Sequence, residues 1–410
     1  MKTARVIGAG LSGLAAAWCL VEAGYDVEVI DASAEPGGLI SSFRAPEGLV
    51  ERAANAFVWT STVERWFHTL DLPPLFPTPA SRRRFIFRNG RPRRWPLTFG
   101  ESATMGARAA AAWARGQLKP AEPESVQAWS DRVLGTAATQ WLVSPALQGI
   151  YAAPASDLSA AAIFKRNTRA VAPRGKTAAM ASPAGGMGEF ATRLTDALIR
   201  RGVMFTFNTR VTALDPSVPT IVSTDAPAAA ALIATHAPEL AAAIGRVELN
   251  VMASATTFYP RHARDHHGFG VLFPRDAGVR ALGVLFNSDV FDGRSTHRSE
   301  TWIYGGTVAG PGVPTEFEMA SAIAHDRQIL TGRADTPLAL YTSSRSPRLP
   351  IYGAAILDVE RRLPELPPWL ALSGNYLGRL GVAKLLDVAE EAAARLSAAT
   401  ASPHAHASSR

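Results

Sequence analysis

The residues best suited to chemistry lie within the first forty positions. Val6-Ile7-Gly8-Ala9-Gly10-Leu11-Ser12-Gly13-Leu14 is a G-x-G-x-x-G run. Arg5 to Ile7 reads as the end of a buried strand, and Leu14 to Glu22 as the helix that leaves the turn. At such a junction Gly8 permits the tight turn, Gly10 lets the backbone approach a pyrophosphate, and Gly13 lets helix and strand pack closely. The amides around Leu11 and Ser12 open the helix and offer N–H groups and a favourable dipole to phosphates. A second strand, Asp26 to Ile30, ends in Asp31, 23 positions after Gly8. A carboxylate there can accept both ribose hydroxyls of an adenosine. Gly37-Gly38 follows closely and allows a second backbone approach to the same cofactor.

Other chemistry-bearing residues are spread along the chain. Residues 82–95 hold seven arginines in fourteen positions around Asn89-Gly90, a strong turn signal, and predict a β-hairpin. Such a field attracts a polycarboxylate substrate or an acidic lipid surface, or is simply a solvated basic face. No nucleic-acid recognition motif accompanies it, so a nucleic-acid partner is not expected. His236 lies in a turn within Leu232 to Pro238, which reads as a strand and turn; a packing role is expected for it rather than that of a base. His404 and His406 are too few for a metal site, and none is expected.

The elements that must position these residues follow from patterning. With 410 residues the chain calls for two or three domains, and 47% hydrophobic against 19% charged residues describes a globular protein. The net charge of +7 favours anionic partners. Cys19 is the only cysteine, so no internal disulfide forms, which fits a reducing, cytoplasmic setting. No stretch of about twenty uninterrupted apolar residues predicts a transmembrane helix, and any membrane contact would be peripheral. Glu101 to Ser182 reads as mainly helical, with an amphipathic stretch over 104–118 that packs on its own domain or rests on an interface. Gly185-Gly186-Met187-Gly188 leads into a helix from Glu189 to Arg200, and 203–207 and 210–214 read as short strands. Alternating apolar residues from Gly268 to Gly306 predict sheet strands, with Phe269, Phe286 and Trp302 as candidate walls of a broad apolar pocket. Residues 399–410 read as a disordered tail.

Several of these segments together resemble the protoporphyrinogen oxidases of the flavin amine oxidase superfamily. Asp31-Ala32-Ser33-Ala34-Glu35-Pro36-Gly37-Gly38-Leu39-Ile40 is similar to that family's version of the cofactor element, with Glu35 where relatives carry arginine. Glu51 and Phe57 match a later element, in which Ala53-Ala54 replaces Gly-Pro and Asn55 replaces an arginine that holds a substrate carboxylate. Gly149-Ile150-Tyr151-Ala152, followed by Asp157-Leu158-Ser159 with Ser159 as a helix cap, resembles a segment peculiar to this group. Gly374, Gly381 and Val382 match the final loop and helix, which face the flavin carbonyl; Gly378-Arg379 and Lys384 depart from its pattern.

The resemblance implies an α/β fold in which a discontinuous Rossmann-like FAD-binding domain (1–75, 185–245 and 365–398) carries a mixed-sheet substrate domain (76–100 and 246–364). Residues 101–184 would form a helical lobe. It further implies FAD contacts at Gly8, Gly10, Leu11, Ser12, Gly13, Asp31, Ala32, Gly37, Gly38, Val211, Gly374, Gly381 and Val382, and substrate contact at Asn55. The implied reaction is oxidation of protoporphyrinogen IX or coproporphyrinogen III by molecular oxygen, in tetrapyrrole synthesis, with release of hydrogen peroxide. No residue presents itself as catalytic acid or base, and hydride removal by flavin needs none. A dehydrogenase of the amine oxidase type acting on another metabolite, and a non-catalytic flavin or porphyrin carrier, are the other readings.

Overall fold

The computed structural model describes residues 2–164, 180–306, 313–343 and 346–401. Part of the helical stretch read over 101–182, and the tail beyond 401, lie outside the described residues; positions 399–401, expected to be disordered, instead continue helix Val382–Ala401. Five parallel strands form one sheet in the order Leu370–Leu372, Thr220–Val222, Lys2–Ile7, Tyr25–Ile30, Met204–Thr206. They come from three separated stretches of chain, and the order reverses between Lys2–Ile7 and Thr220–Val222. In open parallel sheets that reversal makes a crevice at the carboxyl ends of the strands, where nucleotides bind. Alternation divides the core. Ala4, Val6, Val27, Val29, Ile221 and Ala371 pack under helices Leu11–Glu22, Met187–Arg200 and Val382–Ala401. Ile7, Ile30, Val222, Leu370 and Leu372 face helices Ala226–Ile233, Pro238–Gly245 and Ala354–Arg362. A sheet covered on both faces is what parallel pairing requires.

Two expectations are corrected here. Leu232-Ile233 is not a strand but the last turn of a helix that Asp225 caps by accepting from Ala228 N at 3.1 Å. A short apolar run does not by itself separate buried helix from strand. The strand of this region is Thr220–Val222, three β-branched residues ahead of that cap. Residues 210–214 form no ladder: Val211 and Leu214 bury partly against the second face of the sheet.

The second sheet has eight strands and is antiparallel except where Gly270–Leu272 pairs parallel with Arg84–Arg88. Helix Glu316–Thr331 covers one face, over Ala253, Ala255, Val271, Val284, Trp302 and Tyr304. Its edge is the arginine hairpin, strands Arg84–Arg88 and Arg91–Arg93, turned by Asn89 (φ 53°) and Gly90 (φ 73°), the pair of left-handed residues that a two-residue hairpin favours.

The amphipathic helix runs over Phe99–Ala114, starting earlier than its apolar pattern suggests. Thr98 and Glu101 form a reciprocal capping box, a signal legible in the sequence as T-x-x-E. Glu101 also takes two bonds from Arg88, at 2.7 and 2.8 Å, which tie the helix to the hairpin. The Arg88 guanidinium, then the Thr98 amide, hold the Glu101 carboxyl down to about 2 from an ordinary 4.5. Stability from a depressed carboxyl is present above its unfolded value and lost as pH falls through the folded one. Glu101→Gln is therefore expected to lower the melting temperature at pH 7, with the deficit closing between pH 4.5 and about 2. A deficit that stays constant down to pH 2 would contradict the assignment.

Candidate functional site

The glycine run folds as its spacing predicts, and each glycine has its own reason. Gly8 has φ 109° and sits so close to strand Thr220–Val222 that a Cβ would lie 2.5 Å from the Ser223 carbonyl oxygen. A Cβ on Gly13 would lie 1.9 Å from the Gly8 carbonyl oxygen, so this glycine is required by helix–strand contact. Gly10 differs. It is extended, at φ −69° and ψ 172°, and a Cβ there would meet nothing within 4 Å. The fold alone does not need glycine at this position, but a ligand passing over it would. Helix Leu11–Glu22 begins at Gly10 with no side-chain cap, leaving its first amides for that ligand.

The surrounding residues complete a cradle. Gly37 pairs with Gly10 and donates to Ala9 O at 2.8 Å, and a Cβ on Gly38 would come within 3.1 Å of Gly10 Cα. Asp31 accepts from Ala9 N and Ser33 N, both at 2.6 Å, through different oxygens. Each oxygen keeps a lone pair, so a ribose can still be held there. Ala32 is exposed beside it. The main chain of Asn208 and Thr209 bonds to Ser33 and Asp31, at 2.9 Å each, and brings Val211 towards this end of the crevice. These features fit a dinucleotide: open backbone, free helix amides and a carboxylate at the far end.

At the other end, strand Leu370–Leu372 gives Ser373, whose hydroxyl meets that of Ser12 at 2.5 Å. Gly374 lies against the Tyr376 ring; a Cβ there would be 2.5 Å from it. Gly381 (φ 108°) opens helix Val382–Ala401 and is exposed, with nothing near the place of a Cβ. Lys384 pairs with Asp387 at 3.2 Å and Arg379 with Glu391 at 2.5 Å, so both departures from the family pattern make local ion pairs. His236 rests edge-on against Trp369, as a packing residue does.

Glu51 is buried and holds the glycine turn before helix Met187–Arg200, whose Ala191 Cβ lies 3.6 Å from where a Cβ on Gly37 would stand. It accepts from Met187 N at 3.0 Å and from Ser42 Oγ, and Ser42 Oγ accepts from Gly188 N at 2.8 Å. Burial pushes its carboxyl above the ordinary range, which the neighbouring Arg294, at 3.4 Å, opposes. Arg294 has no motif around it in the sequence to mark it. Asn55 is half-buried, and its Oδ1 has no partner among the described residues. Arg52, the cation nearest in sequence, is exposed over the Phe43 ring.

The expected aromatic wall is also corrected. Phe286 and Trp302 are fully buried with helix Glu316–Thr331, Trp302 stacking on Phe273 at 6.1 Å. Successive residues of a strand face opposite ways. The face away from that helix therefore carries their neighbours Leu285 and Ile303, both part-exposed. Phe269 is half-buried, with the Arg84 guanidinium 4.7 Å above its ring.

The sequence profile described as "Flavin containing amine oxidoreductase" matches residues 11–315, and the chain belongs to that family. Its members are flavin-dependent oxidoreductases, and the glycine cradle is where this chain would hold the flavin nucleotide. Among individual proteins, the chloroplastic protoporphyrinogen oxidase of Oryza sativa subsp. japonica is 25% identical over 96% of this chain and 87% of its own. A crystal structure of a candidate protoporphyrinogen oxidase from Exiguobacterium sp. 255-15 superposes with a TM-score of 0.78 at 17% identity, covering 97% of this chain and 99% of that one. Cyclohexylamine oxidase from Brevibacterium oxydans IH-35A gives 0.73 at 16% identity, covering 98% and 99%. Both likenesses establish the fold.

Proposed function

We propose that the chain binds FAD and oxidises a porphyrinogen, protoporphyrinogen IX or coproporphyrinogen III, to the porphyrin, with oxygen as acceptor and hydrogen peroxide as product. Bound flavin supplies the acceptor for hydride equivalents, in three two-electron rounds per porphyrin. The residues bind, orient and shield. The amides at Leu11, Ser12 and Gly13 hold the pyrophosphate and Asp31 the ribose. The N-terminal amides of helix Val382–Ala401 favour negative charge on the reduced ring. Leu285 and Ile303 exclude water from the sheet side, and Asn55 borders the edge of the substrate that carries its carboxylates.

One observation carries the choice of substrate: how the Gly149–Ala152 segment sits between the two sheets. Gly149 packs so tightly that a Cβ would meet Leu272 Cδ2 at 2.4 Å. Tyr151 meets Tyr352 edge-on at 5.3 Å, and Tyr352 donates to Asn375 O at 2.5 Å, in the loop before helix Val382–Ala401. The segment that resembles one of the protoporphyrinogen oxidases thus reaches, through Tyr352, the loop that in this reading lies beside the flavin. Aerobic incubation with protoporphyrinogen IX tests the reading: porphyrin fluorescence should appear with peroxide in threefold molar amount. No enzyme-dependent fluorescence with either porphyrinogen would overturn it. Asn55 favours the alternative, a dehydrogenase of the amine oxidase type on another metabolite, since a neutral amide makes no ion pair with a carboxylate.

Peripheral attachment to an anionic membrane belongs to the same proposal. Helix Phe99–Ala114 buries only Ala112 of its sixteen residues, and Phe99 is 92% and Trp113 73% exposed. Trp95, 52% exposed, bonds to Ser102 and sets this helix beside the exposed Arg83, Arg91 and Arg94. Aromatic tips among arginines suit an acidic interface. Among the described residues no helix is long and apolar enough to cross a membrane. Changing Arg83, Arg91 and Arg94 to Gln should abolish co-sedimentation with phosphatidylserine vesicles and leave solution kinetics unchanged. Undiminished sedimentation would return the hairpin to a solvated face.

A further inference from the structure

We propose that Arg294 is a positioning residue of the flavin site, a clamp that reaches from the antiparallel layer and sets the gap in which the flavin is held. The inference rests on the flavin reading above. Arg294 is one of the most deeply buried cations, its side chain 3% exposed. Its guanidinium lies 4.3 Å over the Phe291 ring, 3.4 Å from Glu51, bonded to Ser182 Oγ and 3.5 Å from the Asn55 carbonyl oxygen. Its own carbonyl accepts from Leu49 N at 2.8 Å, and Ser295 Oγ donates to Glu47 O at 2.7 Å. Gly48, at φ 154°, is needed for this approach, because a Cβ would lie 2.6 Å from the Arg294 oxygen.

The contact continues through Glu51. Its carboxylate holds the first amide of helix Met187–Arg200, and a Cβ on Gly186 would fall within 2.8 Å of both Ser42 Oγ and Glu51 Oε1. One side chain therefore fixes strand Gly48–Glu51, the backbone at Asn55 and the glycine turn at once. A planar guanidinium can hold three such partners; a lysine ammonium on a flexible stem cannot hold them in one geometry. A buried charge cluster elsewhere shows what a merely structural set of ion pairs looks like. Arg298, Glu300 and Arg327 link at 3.0 and 3.2 Å wholly inside the second layer and bond to none of these segments.

The test measures flavin dissociation constants, by quenching of flavin fluorescence, alongside urea unfolding of the apoprotein. Arg294→Met leaves Glu51 as a buried unpaired charge, so both stability and flavin affinity should fall, affinity on the order of tenfold. Adding Glu51→Gln removes that charge; stability should largely recover while flavin binding stays weak. Arg294→Lys should restore stability better than affinity. Arg327→Met, the control, should lose stability and keep flavin affinity within about twofold. Wild-type affinity in the Arg294→Met/Glu51→Gln variant would overturn the inference, as would an equal loss in Arg327→Met. Failure of the wild-type protein to bind any flavin would instead overturn the reading beneath it.

Discussion

Gly10→Val is expected to fold and unfold like the parent and to hold no flavin. The position is extended and open, with nothing within 4 Å of where a Cβ would stand, so the apoprotein gains no clash at that atom. A branched side chain would stand where the pyrophosphate crosses the helix N-terminus and break its contacts with the first amides. Charge-assisted bonds of that kind contribute about 1.5–3 kcal/mol each, and loss of two weakens binding roughly a hundredfold or more. Gly13→Ala makes the contrast: its Cβ would stand 1.9 Å from the Gly8 carbonyl oxygen, so stability itself should fall. Flavin absorbance per mole of protein, read beside the melting temperature, separates the two. Normal flavin content in folded Gly10→Val would place the nucleotide elsewhere.

Asn55→Arg should have opposite effects on the two substrate classes. The new cation would stand near Arg294, whose Nη1 lies 3.5 Å from the Asn55 carbonyl oxygen. For a porphyrinogen the added charge meets a carboxylate, and KM should fall or hold. For an amine that binds as a cation, like charges a few ångströms apart at the edge of a buried site should cut kcat/KM about tenfold or more. Steady-state kinetics with protoporphyrinogen IX and with a set of amines, on parent and variant, read the sign directly. A variant that loses porphyrinogen turnover while melting normally would argue that Asn55 acts through its amide oxygen rather than through the absence of charge.

What was legible in the sequence was whatever is imposed locally. The G-x-G-x-x-G run, Asp31 and the Asn89-Gly90 turn are fixed by steric needs of a few neighbouring residues, and the structure has them where the spacing puts them. The strands between Gly268 and Gly306 were legible as strands, yet their faces were not. Size drew attention to Phe286 and Trp302, but large aromatic residues are what a helix-covered core collects, and the pleat turns Leu285 and Ile303 the other way. Leu232-Ile233 shows the same limit, since the Asp225 cap that makes it helical lies seven positions upstream of Leu232. Arg294 had no local signal at all. Its partners, Glu51, Asn55 and Ser182, come from distant stretches that only the folded chain brings together.

The most direct measurement mixes the flavin-loaded protein with protoporphyrinogen IX in the absence of oxygen and follows the visible spectrum. Without oxygen the porphyrinogen does not oxidise on its own, so any change reports transfer to the flavin. The oxidised flavin band should bleach as porphyrin bands rise, and admitting oxygen should restore it. A flavin that stays oxidised with both porphyrinogens, whether or not an amine bleaches it, would contradict the account.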